Sequence, residues 1–461
     1  MTRERSETGG GDPDGSAGGA GGRGPPPLRG IEQELIDSVG APHVESLGGA
    51  SWRVAPGSAA EVAEVIRRAR GHQAAIHPLG AGGRPARAEP INSGPQRSKD
   101  RNLPAARVPP VGTRVADDRP RVYIATRRLD QVLQLDEASL LVHAQAGLTG
   151  LDLERVLGPR NLSIGDYPPV VLTSSLGGII AVRTPGKSSA RHGFFEDAVV
   201  GLSAVLADGR TVHTRVAPRR STGPDLARAL CGSEGTIGFI TSAVLRIHVR
   251  PEARLVAAYS LPSVDAAVDA VYLALREEVA PSGLRIYDAA EAALHFDGLT
   301  LPAGHALLCA GTAGPTDLAA CDRDLIASAV LAESGVATDQ ALAELWWRRS
   351  HAGEPTPGPQ PTLQVMAAPS RLLRVYHTVI GELAGRGGAA RAHISRFDAD
   401  GAVVFFTLSP DDGDAIAAAE RAAEAAGGWL LGARAHRLDS YLRELRDALD
   451  PDRIMNPGAL A

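Results

Sequence analysis

The residues of this chain best suited to chemistry are glycines, because of how they cluster. In Pro78 to Pro85 (PLGAGGRP), Gly80, Ala81, Gly82, Gly83 and Arg84 follow the short apolar stretch AAIHPLG. Closely spaced glycines after a strand expose backbone N–H groups, which can form an anion-binding nest for a diphosphate. The pattern is not the dinucleotide fingerprint of a doubly wound sheet: a proline follows directly and no matching helix opens. In a second segment, Tyr167 to Gly201, Thr173, Ser174 and Ser175 precede Gly177 and Gly178, and Arg191, His192 and Gly193 follow. Hydroxyls beside a glycine pair let backbone and side chain approach a bound group closely. Leu176, Ile179 and Ile180 read as buried, which weakens the alternative of a plain surface loop. A third segment, Ser221 to Ile247, carries Glu234, Gly235, Thr236, Gly238 and Ile240 at the entry to a strand-like stretch. A tight turn would explain the glycines of any one segment taken alone.

These segments need elements to hold them. Val62, Val65, Ile66 and Ala69 have helical spacing, with Ser58 as N-cap. Thr149 caps a second helix whose apolar side is Leu151, Leu153 and Val156. DAVVGLSAVLADGRTVHT reads as a hairpin turning at Asp208-Gly209. After Pro251 the texture changes. SVDAAVDAVYLALREEV is an amphipathic helix, and GLRIYD, HALLCAG, TLQVMAA, RAHISRF and AVVFFTLSP are strands separated by Ala-rich helices. This is an α+β arrangement with an antiparallel sheet. The expected organisation is a disordered Gly/Pro-rich tail (1–29), a domain carrying the glycine segments (30–250) with an inserted flexible loop (89–120), and a second domain (251–461). The helix LRELRDAL, stopped by Asp450-Pro451, leads into a closing segment that returns to the first domain.

Composition narrows the classes of function. Hydrophobic residues make up 44% of the 461, but aromatics only 4%, so the core must be Ala, Val, Leu and Ile. A net charge of −5 supplies no field for nucleic acid or an anionic membrane. Cys231, Cys309 and Cys321 have no paired spacing, which argues against a disulfide framework or a zinc knuckle. No apolar run reaches the roughly 18 residues of a membrane span. The expectation is a soluble, cytoplasmic protein acting on a small molecule.

Taken together, the three glycine segments resemble the FAD-binding domain of vanillyl-alcohol-oxidase-type (PCMH-type) flavoenzymes. In motif the chain is similar to the alkyldihydroxyacetonephosphate synthases and to the FAD-linked glycolate oxidase and D-lactate dehydrogenase group. Gly80 to Arg84 stand at the family's diphosphate loop, and Ser174, Ser175, Gly177 and Gly178 at its Ser-Thr-x-Gly-Gly step. Arg191, His192, Gly193, Glu196 and Asp197 match Arg-Tyr-Gly…Glu-Asp, and Gly232 to Ile240 keep Gly-Ser-Glu-Gly-Thr-Leu-Gly-Ile-Ile nearly intact. The resemblance implies an α+β fold: a two-subdomain PCMH-type FAD-binding domain followed by a substrate (cap) domain with an antiparallel sheet. It further implies FAD as cofactor, held by Pro78, Gly80, Ala81, Gly82, Gly83, Arg84, Ser174, Ser175, Gly177, Gly178, Arg191, His192, Gly193, Glu234, Gly235, Thr236, Gly238 and Ile240. A small-molecule substrate, an unidentified electron acceptor and a homodimer are implied as well.

Departures from the family concern the chemistry. The synthases' active-site tyrosine position is Asp398. Their consecutive histidines, like the hydroxyacid group's Glu-His-Gly, are replaced by Trp429 to Arg434. The Asp-Thr-x-Glu step becomes Pro361, Thr362, Leu363, Gln364, and no metal is assigned because the expected ligands are missing. Arg285 survives where the family has an active-site arginine, and its fork suits a carboxylate or phosphate. Hydride transfer from a hydroxylated carbon also needs a proton acceptor, for which His is the usual residue. His393 and His436 are the leading candidates. Tyr287, two residues from Arg285, shares its strand face if GLRIYD is a strand. Asp398 reads more simply as a turn residue, Cys231 as a small buried one, and Trp346-Trp347 as packing or a substrate wall. Three functions follow: an FAD-dependent oxidoreductase acting on a small hydroxylated anion, a transferase of the alkylglycerone-phosphate synthase type, or a flavin-binding partner protein with impaired catalysis.

Overall fold

The structure is a computed structural model and describes residues 28–81, 118–165, 172–183, 189–216, 225–296, 298–299, 301–352, 362–387, 390–408, 413–431 and 440–459. Most of the expected tail and inserted loop, the nest residues Gly82, Gly83 and Arg84, and His436 lie outside the described residues. A helix begins at Leu28, inside the stretch expected to be tail.

The first sheet is ordered β1-β2-β4-β3, from β1 (Val44–Gly48), β2 (Ser51–Val54), β3 (Ala75–Leu79) and β4 (Arg121–Ala125). The helix Ala59–Gly71 covers it, started by Ser58, whose Oγ accepts from the Glu61 N–H at 3.1 Å. Its Val62, Val65 and Ile66 are fully buried, as the spacing required. The second sheet is ordered β5-β6-β10-β8-β9. Its strands are β5 (Val132–Asp136), β6 (Leu141–Gln145), β8 (Val199–Leu206), β9 (Thr211–His213) and β10 (Gly238–Arg246). Asp208-Gly209 turns the β8–β9 hairpin, with Gly209 at φ +79°. Thr149 caps the helix Gly150–Leu157, but its buried side is Leu153 and Leu157. Leu151 is 38% exposed, against expectation, because the heptad-like face rotates one position toward Leu157. A short pair, β7 (Leu162–Ser163) and β11 (His248–Val249), completes this half.

The second half is built on one eight-stranded sheet, ordered β15-β12-β14-β13-β17-β18-β16-β19, and every neighbouring pair is antiparallel. The strands are β12 (Ala253–Leu261), β13 (Gly283–Asp288), β14 (Ala306–Gly314), β15 (Val336–Ala337), β16 (Thr362–Ala367), β17 (Arg391–Ser395), β18 (Ala402–Thr407) and β19 (Trp429–Leu431). The helices Val264–Arg276, Thr316–Ala332, Pro369–Gly385 and Gly413–Ala425 pack on one face, where Leu284, Ile286, Ile394, Val404 and Phe406 point. Because strand side chains alternate, Arg285, Tyr287, His393, Ser395 and Phe405 are left on the other face. The C-terminal segment returns to the first sheet: Ile76 N–H donates to Ile454 O and Asn456 N–H to Ile76 O, both at 2.7 Å. Among the described residues no helix is long and apolar enough to cross a membrane.

Candidate active site

Folding brings the three glycine segments to one place. Pro78 lies at the end of β3 and Gly80 directly follows it, Ser175 precedes the short helix Leu176–Ala181, and Glu234-Gly235 form the turn before β10. A Cβ on Gly80 would lie 2.6 Å from Ser175 Oγ, and one on Gly235 would lie 2.7 Å from Pro78 Cγ. A Cβ on Gly177 would meet Ala146 Cβ at 2.9 Å, so these glycines permit contacts no side chain could. Asn456 ties the third segment to the first: its Nδ2 donates to Glu234 O at 2.6 Å and its Oδ1 faces His77 Nδ1 at 3.2 Å. Glu234 itself takes φ +49° and Gly235 φ +79°, the left-handed turn that the glycine was needed for. Ser175 Oγ is buried without a partner among the described residues. A buried hydroxyl in a glycine-lined cradle fits an oxygen-rich cofactor such as the FAD diphosphate.

Arg191, His192 and Gly193 lie toward the large sheet: a Cβ on Gly314 of β14 would sit 3.2 Å from Arg191 Nη2, and the helix Ser189–His192 packs on β13, the strand of Arg285. The His192 ring stacks on His248 at 3.8 Å, and burial, with His248 and Arg191, drives its pKa down to about 3. It is a neutral imidazole at physiological pH. Thr236 and Ser233 are consumed locally, Thr236 Oγ1 donating to Ser233 O at 2.7 Å. Gly238 and Ile240 lie in β10, where Ile240 packs in the core of the second sheet.

The other face of the large sheet, partly covered by the helices Ala289–His295 and Gln340–Ala352, holds the remaining candidates in two cross-strand rows. One runs Tyr287, His393, Phe405, Gln364 and the other Arg285, Ser395, Val403, Met366. Arg285 and Tyr287 share the face, and Arg285 Nη1 donates to Tyr287 Oη at 3.3 Å. His393 stacks on Phe405 with ring centroids 4.6 Å apart and donates from Nδ1 to Glu291 Oε1 at 3.2 Å. Glu291, 1% exposed, lies in the first turn of the helix Ala289–His295, whose N-cap is Asp288. Its Oε1 also receives His295 Nε2 at 2.9 Å and Thr407 Oγ1 at 3.0 Å. Burial would raise the Glu291 pKa, but the hydrogen bonds from His295 and His393 overcome it and bring it to about 2. An ionised Glu291 fixes the proton of His393 on Nδ1 and leaves Nε2 as a free lone pair. Burial depresses His393 to about 4 against the upward pull of Glu291, so the ring is neutral at pH 7.

Of the residues singled out in the sequence, Arg285, Tyr287 and His393 come together on this face, joined there by Glu291, His295, Phe405, Thr407 and Arg396, which the sequence did not single out. The Glu-x-x-x-His spacing of Glu291 and His295, one helical turn, was the available signal. Asp398, at the tyrosine position, is a turn residue: its Oδ1 accepts from the Asp400 and Gly401 N–H groups at 2.9 Å. Trp346 is 4% exposed and Trp347 abuts Gly311, so the pair walls this face. Cys231 is buried. No metal was expected, yet Glu291, His295 and His393 present ligand atoms all within 4.8 Å of one another. In this structure Glu291 Oε1 lies at hydrogen-bond distance from His295 (2.9 Å), His393 (3.2 Å) and Thr407 (3.0 Å).

Known proteins share the two domains and the fold. Residues 110–215 match the FAD binding domain family, and residues 250–433 match the family of FAD linked oxidases, C-terminal domain. The alkyldihydroxyacetonephosphate synthase of Dictyostelium discoideum is 30% identical over 243 residues, 53% of this chain and 36% of that protein. Glycolate oxidase subunit GlcD of Bacillus subtilis is 29% identical over 163 residues, 35% of each. The matched stretch thus spans about a third of the length of these relatives. In fold, an alkyldihydroxyacetonephosphate synthase structure superposes with TM-score 0.66 at 22% identity, covering 88% of this chain and 75% of that one. Substrate-bound p-cresol methylhydroxylase superposes with TM-score 0.68 at 13% identity, covering 94% of this chain and 96% of the other. The chain therefore carries an FAD binding domain followed by the C-terminal domain of FAD linked oxidases.

Proposed function

We propose that the chain is an FAD-dependent oxidoreductase that dehydrogenates a small hydroxylated, anionic substrate. The observation that carries this reading is the adjacency of Arg285 and His393. They lie on neighbouring antiparallel strands, one row apart, on the face whose strand β13 touches the cofactor segment. FAD, when bound, supplies a hydride acceptor at N5. Arg285 holds the substrate anion through its fork. His393 Nε2 takes the hydroxyl proton, and Glu291 holds the ring in the required tautomer and stabilises the imidazolium that forms, as a buried carboxylate does for a catalytic histidine. Tyr287 orients Arg285 through their hydrogen bond. The Trp346-Trp347 wall and Phe405 exclude water from the proton transfer.

The match to alkyldihydroxyacetonephosphate synthase supports a second reading, a transferase. Against it, Asp398 is tied to its own turn rather than presented on the face. Anaerobic mixing of the FAD-loaded protein with a panel of 2-hydroxy acids and hydroxylated phosphate esters decides. Bleaching of the flavin band supports dehydrogenation. Persistent oxidised flavin with every compound, together with exchange of labelled fatty alcohol into an acyl-dihydroxyacetone phosphate, replaces it with the transferase.

A further inference from the structure

Arg396 is the unexplained cation of this face. It follows Ser395 at the end of β17 with φ +59°, a left-handed conformation that costs a non-glycine residue about 1–2 kcal/mol. That backbone turn lays its guanidinium over Phe405, Cζ 4.7 Å from the ring centroid. Phe405 stacks on His393, and on the far side Arg285 lies with Cζ 5.8 Å from the Tyr287 ring. Arg285 and Ser395 are direct cross-strand partners, so the two arginines flank the same patch. Among the described residues neither pairs with a carboxylate. The buried acid of this face, Glu291, already accepts three hydrogen bonds on one oxygen. Burial, and then repulsion from Arg285, pull Arg396 down to about 9. Two like charges brought together in a partly desolvated place, without a counter-charge, are unfavourable unless an anion joins them.

We propose that Arg285 and Arg396 together form one binding site for a doubly charged oxyanion of the substrate, with Arg396 setting the preference for two charges over one. The inference rests on the reading above that this face receives the substrate. A single carboxylate is satisfied by one bidentate fork. A second fork gains its full value only from a phosphate monoester, which carries close to two charges at neutral pH, or from a second carboxylate beside the first. The strained backbone at Arg396 is then the cost of aiming that second fork across Phe405.

The test titrates the FAD-loaded full chain with acetate, oxalate and inorganic phosphate, reading the shift of the flavin absorption band and the melting temperature. Oxalate, phosphate or both should bind at least about tenfold more tightly than acetate, as a second charge-assisted fork warrants. A response confined to phosphate identifies a phosphoryl group, and one confined to oxalate a dicarboxylate. Arg396→Gln should bring the ratio to near one while acetate affinity stays within about twofold, since Arg285 still holds one carboxylate. If Arg396→Gln sheds flavin, Arg396→Lys is scored instead, and should also lose most of the ratio because it keeps charge without the fork. Equal binding of the three anions by the unaltered protein, or a ratio unchanged in the Arg396 variant, overturns the proposal. Its failure is separable from failure of the dehydrogenase reading. Dianion preference without bleaching by any substrate defeats only the latter, and bleaching without dianion preference defeats only the former.

Discussion

The glycine cradle and the arginine-bearing face of the large sheet are built on opposite terms. The cradle depends on atoms that are missing. Gly80, Gly177 and Gly235 let backbone and hydroxyls meet where any Cβ would collide. The sheet face depends on atoms that are present: an arginine, a histidine and a buried glutamate, each from a different element, brought together by strand register. The cradle should therefore be intolerant of additions and the face intolerant of removals. Damage to the first should cost flavin and damage to the second turnover.

The largest expected effect breaks the face alone. His393→Gln removes the proposed proton acceptor and should lower kcat by about 10²–10⁴, while flavin content stays that of the parent. Stopped-flow reduction of the bound flavin measures it, and a variant that reduces flavin at the parent rate removes His393 from the mechanism. Next, Gly177→Ala places a methyl 2.9 Å from Ala146 Cβ and 3.3 Å from Ala146 O. Overpacking of this kind costs about 1–3 kcal/mol. The variant should melt lower and lose flavin on gel filtration, and one that purifies with full flavin would show the cradle less tight than its geometry.

A pH profile sharpens the comparison further. His393 faces Glu291 and His295 from one helix, Tyr287 and Arg285 from β13, and Arg396 beyond Phe405. Its pKa falls from 6.5 to about 4, so the base form persists through neutral pH and kcat/KM should drop only as pH approaches 4. Glu291→Gln removes the carboxylate that raises His393, so the acid limb should move to lower pH. Movement to higher pH would give Glu291 a different role. Stability follows the same sign. A histidine depressed in the folded state favours folding above its unfolded pKa of 6.5, and that contribution is lost as pH falls toward 4. His393→Gln should flatten the melting curve over that window.

The same contrast explains how much was legible in the sequence. The cradle is written in contiguous motifs: a tight turn would explain the glycines of each segment alone, but the three segments together match one family pattern, and Ser58, Thr149 and Asp208-Gly209 mark their caps and turn equally plainly. The face is not contiguous. Tyr287 pairs with His393, and His393 with Phe405, across strands whose register no local pattern encodes. Glu291 and His295 lie in an Ala-rich helix that reads as filler. Arg396 is set apart by a positive φ, which arginine does not advertise as glycine does. Even Arg285 was legible through its resemblance to family arginines rather than through its surroundings.

The smallest expected effects test whether the returning C-terminal segment belongs to the cradle or merely lies against it. Asn456 and Asp452 are four residues apart, and both reach the first sheet and its helix. Asn456 is 4% exposed and bridges Glu234 O to His77, so Asn456→Ala removes one donor to the Glu234 carbonyl and one contact of the His77 ring. A buried hydrogen bond deleted from one side costs about 1–3 kcal/mol. Because Glu234 heads the third cofactor segment, flavin affinity should fall along with the melting temperature. Asp452 pairs with Arg70 at 2.7 Å, but both side chains are about 40% exposed (45% and 39%). Exposed ion pairs contribute about 0–1 kcal/mol and are screened by salt, so Asp452→Ala should leave flavin affinity unchanged and lose its small effect at high ionic strength. Equal flavin loss in both variants would mean that the segment acts as a strap held by its total contacts. Loss in Asn456→Ala alone would make one amide the link by which the end of the chain sets the shape of the cofactor turn.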